Sequence, residues 1–304
     1  MSAFALTGKA ARLLFLFSTP FIYFASCLLV AATLAFPLYK LHIIPLDFHG
    51  HVSRGAYLLL VLGIYPIGRW LGIGRAELGL NYSAGHSGVR LIRGFGWGVL
   101  MLGVHTLLLI VLDIRHIDPE RLGLKTLLDA AWKAALVGLI LGIAEELLFR
   151  GFLLGALRNK GGWGIAVVTS AFYYSGLHFL STDLRPGAEE AQWFSGYILL
   201  DSGLKHLART QLDDFMALFV CGVFLGVIRI RQPEKGLAFT IGIHAGWIFV
   251  IKIIKSFTTL TVPSPLSWLV SAFDGIIGWF SIAWISLLIV FLFTRKTGRP
   301  ARIN

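Results

Sequence analysis

Residues 136–154 read LVGLILGIAEELLFRGFLL, an apolar run that contains three charged side chains, those of Glu145, Glu146 and Arg150. A charge near the middle of a membrane helix costs about 2.5 kcal/mol or more, so a chain that keeps three there is expected to use them. On a helix Glu146 lies one turn before Arg150, the favourable order for an ion pair, and Glu145 projects about 100° away. We therefore predict that Glu146 and Arg150 neutralise each other and that Glu145 is free for chemistry. The alternative is a buried cluster that only stabilises the fold.

The composition of the whole chain is that of an integral membrane protein. Of its 304 residues, 56% are hydrophobic and 14% are charged, and the mean hydropathy is +0.76, far too apolar for a soluble domain. The predicted fold is therefore all-α, a polytopic transmembrane helix bundle of about eight spans. Apolar runs long enough to cross a bilayer lie at 13–36, 56–72, 91–112, 127–154, 164–180, 215–230, 237–254 and 266–293.

The net charge of +11 would indicate nucleic-acid binding in a soluble chain, but here it has another interpretation. The basic residues gather in short loops between apolar runs and at the C-terminus, and cytoplasmic loops of membrane proteins are enriched in Lys and Arg. We predict a multi-pass protein of the cell inner membrane with both termini cytoplasmic and no nucleic-acid partner.

Three other apolar runs carry a histidine, and the first of these residues, His105, is expected to be a hydrogen-bonded packing residue. His178 lies about as far after the glycine turn at 161–162 as Glu145 lies before it, so antiparallel neighbours would place both side chains at a similar depth. His244 lies in a later run. A buried histidine taken alone is more often a satisfied core residue than a catalyst, but a carboxylate and two imidazoles on three helices are the parts of a hydrolytic site.

Three short motifs within residues 127–250 carry a resemblance to a known family. The first is Glu-Glu-x-x-x-Arg. In the second, three residues separate an aromatic residue from a histidine. The third begins with a histidine and follows a helix with spaced glycines, here 222–229. By these motifs the chain resembles the CPBP family of intramembrane proteases, also called the CAAX-protease or Abi family. The matching residues are Glu145, Glu146 and Arg150, then Tyr174 and His178, then 244–247.

The resemblance implies an intramembrane endopeptidase that cleaves a membrane-associated protein or peptide. It assigns Glu145 and His178 to the activation of a water and His244 to holding the oxyanion. The family is described as glutamic-type with no metal and also as metalloproteases, in which case the same three residues would bind zinc. No His-Glu-x-x-His spacing supports zinc independently. We expect the motif helices to converge on a water-accessible cavity that opens to the cytoplasmic half.

The predicted organisation has three parts: accessory helices over 1–126, a CAAX-protease-like catalytic core over 127–256, and a C-terminal helix with a basic tail over 257–304. Glu146, Arg150 and Tyr174 are predicted to support the catalytic residues.

One position departs from the family pattern. Four residues after His244 the family usually has Asn or another polar residue, and this chain has Ile248. A missing oxyanion donor typically costs about 10² to 10³ in rate, so activity depends on Thr240, one turn earlier, or on the Trp247 indole as a substitute. A non-catalytic membrane binding or immunity protein is therefore an alternative. A proton-coupled transporter, with Glu145 and the histidines as a relay, is less favoured because no inverted repeat is apparent.

Overall fold

The computed structural model describes residues 3–81, 83–187, 190–271 and 273–294, and these form a helical bundle. The predicted all-α fold is confirmed. The α-helices are α1 (Ala3–Lys40), α2 (Phe48–Trp70), α3 (Ala84–Val111), α4 (Leu124–Glu146), α5 (Leu154–Gly161), α6 (Trp163–His178), α7 (Ser195–Arg209), α8 (Leu212–Arg231), α9 (Gly236–Phe257) and α10 (Trp279–Thr294). A π-helical segment, Leu147–Leu153, joins α4 to α5, and short 3-10 helices lie at Pro119–Arg121, Pro233–Lys235 and Ser267–Leu269. The basic tail predicted at 295–304 lies outside the described residues.

Two short strands close the end of the bundle that follows α3 and α9. They are β1 (Arg115–Ile117) and β2 (Thr258–Leu260), and they pair antiparallel with Arg115 opposite Leu260. The buried Arg115 guanidinium donates three hydrogen bonds of 2.7 to 2.9 Å, to the hydroxyl and carbonyl of Thr258 and to the carbonyl of Gly275. These bonds hold the segment after β2 against the bundle.

The helices agree with the predicted membrane spans. Within the described residues, four stretches are long and apolar enough to cross a bilayer, namely Leu14–Lys40, Gly85–Val111, Leu124–Gly161 and Pro233–Phe257. Helices α7 and α8 together make a fifth candidate, with a 95° bend between them. The other predicted runs coincide with α2, α6 and part of α10, so the count is roughly in line with about eight spans. The chain is an integral membrane protein.

The last predicted run, 266–293, is only partly a helix, because α10 begins at Trp279. Gly275 and Gly278 adopt positive φ angles of 67° and 149°, which favour glycine and interrupt a helix. The Asp274 carboxylate accepts hydrogen bonds from the backbone N–H groups of Ile276 and Ile277 at 2.8 and 2.9 Å and forms a turn. The prediction of a continuous span from residue 266 was therefore wrong.

Helix α9 is packed closely between α3 and α4 through glycines spaced four apart. A Cβ atom on any of these glycines would lie against a backbone carbonyl oxygen of the facing helix, so only glycine permits this approach. His244 lies on α9 between two of them, and the packing therefore sets its height beside α4. The glycines are Gly94 and Gly98 of α3, Gly138 and Gly142 of α4, and Gly242 and Gly246 of α9.

The glycines of α8 bring that helix against α6. A Cβ on Gly222 would lie 2.9 Å from Ala171, and one on Gly226 would lie 3.1 Å from Val167. The spacing of four residues between these glycines permits the two helices to approach closely. Since α6 ends at His178, this contact fixes the helix that carries the second histidine.

Several basic loops lie at one end of the bundle. The backbone N–H of Leu237, at the start of α9, donates to Gly79 in the loop between α2 and α3, and the Arg229 guanidinium donates to the carbonyl of Glu77 in that loop. Lys160, before the turn into α6, lies over the ring of Phe15 near the start of α1. These are the loops predicted to be cytoplasmic, so that prediction places this end of the bundle on the cytoplasmic side.

Candidate active site

Glu146 and Arg150 form the ion pair that their spacing predicted. Arg150 Nη1 lies 2.8 Å from Glu146 Oε1, and both side chains are almost completely buried. Arg150 Nη2 also donates to the carbonyl of Gly222 at 3.3 Å, and the guanidinium lies 4.3 Å from the ring centre of Tyr174. The π-helical segment begins directly after Glu146. Such segments are frequent at functional sites.

Glu146 has a second contact that its position in the sequence did not reveal. Its Oε1 atom lies 3.1 Å from Nδ1 of His244. The Glu146 carboxylate is paired with Arg150 and accepts this hydrogen bond, so the proton is placed on Nδ1 of His244. The Nε2 atom then faces Glu145 Oε2 at 3.7 Å and the Tyr174 hydroxyl at 3.4 Å.

His178 is oriented in the same way by a backbone group. Its Nδ1 atom lies 2.8 Å from the carbonyl oxygen of Tyr174. A carbonyl oxygen only accepts, so Nδ1 carries the proton and Nε2 is directed toward the site. That Nε2 atom lies 3.5 Å from Glu145 Oε2, and 27% of the side chain is exposed. His178 is therefore the histidine of the site that water reaches most readily.

Glu145 lies at the point where these groups meet. Its Oε2 atom faces both imidazole Nε2 atoms, while Oε1 accepts a hydrogen bond of 3.2 Å from the Tyr57 hydroxyl on α2. The residue is 4% exposed. The structure thus brings together Glu145, His178 and His244, as the sequence predicted, although their catalytic roles remain predictions.

A cavity of about 430 Å³ is lined by Glu145, His178 and His244. It extends along the second half of α9 to the exposed Lys252 and Lys255, at the end of the bundle opposite the basic loops. The cavity and the basic loops thus lie toward opposite ends of the bundle, so the predictions of cytoplasmic loops and of a cytoplasmic opening cannot both hold. A larger cavity of about 490 Å³ lies between α1, α6 and α7, but its lining is aliphatic and aromatic.

The residues around the expected oxyanion position differ in their access to the cavity. Ile248 and Trp247 line it together with His244. Thr240 is fully buried beside Glu146, and its hydroxyl donates to the carbonyl of Leu237 at 3.0 Å. Thr240 is therefore already engaged away from the cavity lining, and its predicted substitution for the missing donor finds no support.

Two contributors to the site were not recognised in the sequence. Tyr57 is 88 residues from Glu145, and no local pattern connects them. His105 was expected to be a hydrogen-bonded packing residue; its Nε2 does lie 2.9 Å from the Ser281 hydroxyl, but both residues also line the cavity. An intramembrane titratable side chain was the available signal for His105.

The zinc hypothesis requires three ligands arranged around one ion. In the parts of the chain that the structure describes, no group of three or more His, Cys, Asp and Glu side chains has an arrangement that would hold a metal ion. Zinc binding by Glu145, His178 and His244 stays a prediction, and the mechanism proposed below uses no metal.

Comparisons with known proteins agree with the motifs. The family model described as Type II CAAX prenyl endopeptidase Rce1-like matches residues 127–250, which include Glu145, His178 and His244. Searches of curated proteins and of solved structures gave no match. Residues 127–250 of this membrane protein, less than half of the chain, thus match the CAAX-protease family that the motifs predicted.

Proposed function

We propose that this protein is an active intramembrane endopeptidase that hydrolyses a peptide bond of a membrane-associated protein or peptide. One observation carries the proposal: two imidazole Nε2 atoms face one carboxylate oxygen of Glu145 inside a cavity. A carboxylate and imidazoles within one cavity supply the acid and base groups that hydrolysis needs. The match of residues 127–250 to a CAAX-protease family model supports the same reaction class.

In the proposed reaction, Glu145 is the general base. A water that hydrogen-bonds to Glu145 Oε2 and to His178 Nε2, which lie 3.5 Å apart, would be the nucleophile. Glu145 accepts a proton from this water while the water oxygen attacks the peptide carbonyl. The protonated carboxyl group then donates that proton to the leaving amine, which restores the carboxylate.

His244 is proposed to stabilise the negative charge that develops on the carbonyl oxygen. Its Nδ1–H donates to the Glu146 carboxylate, so Nε2 is the atom that faces Glu145. In the imidazolium form of His244, the Nε2–H group would donate to the oxyanion. Glu146 is in turn held by Arg150, so this pair supports His244 and does not act as the base.

We propose that Trp247 supplies a further oxyanion donor in place of the amide that Ile248 lacks. The Trp247 side chain is 6% exposed, lines the cavity, and has an Nε1–H group without a hydrogen-bond partner among the described residues. A buried N–H group without an acceptor costs about 1 to 3 kcal/mol, and an oxyanion would supply that acceptor.

The proposed setting is the cell inner membrane, with the basic loops and both termini cytoplasmic. The partners are the lipid bilayer and a membrane-associated substrate, and no cofactor or nucleic acid is required. We keep the predicted division into accessory helices (1–126), catalytic core (127–256) and C-terminal part (257–304) as a proposal.

The experiment compares membrane peptides from cells with the native protein, with the Glu145→Gln variant, and without the protein. A new peptide terminus that requires native protein and disappears with Glu145→Gln would support the proposal and identify the cleavage site. The purified protein in lipid vesicles should then cut a synthetic peptide that spans this site. If the native protein produces no new terminus, it is not a protease under these conditions.

Ile248 favours a second candidate function, that of a membrane binding or immunity protein without catalysis. Its side chain occupies the cavity lining where a donor is expected. In that case the Glu145→Gln variant would retain the biological phenotype of the native protein, whereas a protease would lose it.

A further inference from the structure

Tyr57 lies outside the segment that matches the family, yet its hydroxyl reaches the proposed base. The hydroxyl donates to Glu145 Oε1 at 3.2 Å from α2, a helix within the part predicted to be accessory. Tyr57 is 43% exposed, whereas Glu145 is 4% exposed. The phenol therefore connects the outer surface of the bundle with the centre of the site.

A carboxylate group rotates about its terminal bond, so either oxygen can face the imidazoles unless one is held. In this site the hydrogen bond from Tyr57 holds Oε1, and Oε2 faces Nε2 of His178 and Nε2 of His244. The groups around Glu145 come from three helices: Tyr57 from α2, Tyr174 and His178 from α6, and His244 from α9.

We propose that Tyr57 is a positioning residue that keeps Glu145 Oε2 directed at the attacking water. This inference rests on the proposed function, in which Glu145 is the general base. It extends the catalytic machinery beyond the matched segment to α2.

The alternative is that Tyr57 only fastens α2 to the bundle. Other contacts already do so: the Tyr23 hydroxyl of α1 donates to the carbonyl of Leu60, and Gly68 lies against the Phe152 ring of the π-helical segment. Loss of one phenolic hydroxyl should therefore leave the position of α2 unchanged.

The test replaces Tyr57 by Phe, which removes only the hydroxyl. Tyr65→Phe is the matched control, because Tyr65 lies on the same helix, is 70% exposed, and contacts Arg69 through its hydroxyl. We expect Tyr57→Phe to lower kcat about tenfold with little change in KM, since a hydrogen bond to a charged group is lost. Tyr65→Phe should change neither constant, and kcat is measured per folded molecule because loss of the Tyr57 hydrogen bond also lowers stability.

An infrared measurement tests the contact independently of cleavage. The carboxyl band of Glu145 is assigned as the band lost in Glu145→Gln, and we expect Tyr57→Phe to shift this band while Tyr65→Phe leaves it in place. A kcat within twofold of the native value, or an unmoved band, would overturn the positioning role. If the native protein does not cleave peptides, the proposed function fails, and the infrared band still decides whether Tyr57 holds Glu145.

Discussion

The two adjacent glutamates should respond differently to replacement by Ala, because they have different partners. Glu146→Ala removes the partner of Arg150, whose side chain is 1% exposed, and leaves Nδ1 of His244 without an acceptor. Removal of one member of a buried ion pair costs about 3 to 5 kcal/mol, because the other charge stays buried. Glu145→Ala removes one hydrogen bond from Tyr57, which is worth roughly 1.5 to 3 kcal/mol when the acceptor is charged, and also removes a buried carboxylate.

We therefore expect Glu146→Ala to lower the free energy of unfolding by about 4 kcal/mol, roughly a thousandfold in the folding equilibrium. Glu145→Ala should lower it by about 1 kcal/mol or less, because relief of carboxylate burial offsets the lost hydrogen bond. The assay is reversible unfolding in mixed micelles, followed by the fluorescence of the nine tryptophans. Cleavage per folded molecule is measured in the same samples.

A double variant, Glu146→Met with Arg150→Met, provides the control. Apolar side chains of similar volume often replace a buried pair with little loss, so this variant should be more stable than Glu146→Ala. The reasoning is refuted if Glu146→Ala loses less than about 1 kcal/mol, a value expected of an exposed pair. It is also refuted if a stably folded Glu146→Ala abolishes cleavage while Glu145→Ala keeps it.

Four further predictions concern the cavity, the packing and the cofactor requirement. Ile248→Asn should raise the cleavage rate per folded molecule up to about tenfold by adding an oxyanion donor; an unchanged rate in a folded variant would mean that another group already fills this role. Gly98→Ala should lower the free energy of unfolding by about 1 to 3 kcal/mol, because the new Cβ would meet a backbone carbonyl of the facing helix. Gly96→Ala is the control and should not lower it, because its Cβ would meet open space. Arg115→Met removes three buried hydrogen bonds, so it should lower the melting temperature and speed proteolysis of the segment after β2. Proteolysis of that segment at the native rate would contradict this. Chelation of divalent metals should leave the cleavage rate unchanged, and loss of activity that zinc restores would disprove the metal-free mechanism.

Local features of the chain were predictable from the sequence. Hydropathy depends on the residues of each run alone, and it identified an integral membrane protein and the positions of its main helices. The pair of Glu146 and Arg150 was also predictable, because four residues on a helix place both side chains on one face. The break before Trp279 was missed because apolar residues between the glycines resemble a span in a hydropathy count.

Contacts between distant helices were decided by the tertiary structure. Glu146 holds a histidine 98 residues away, and Tyr57 reaches a carboxylate 88 residues away. The glycines of α3 and α9 face each other only because those two helices are neighbours in the bundle. Helix periodicity predicts which face of a helix a residue occupies, but which helix packs against that face depends on packing over the whole bundle. For this reason the sequence identified the three buried charges of residues 145–150, and only the fold determined which atom of each one is free to react.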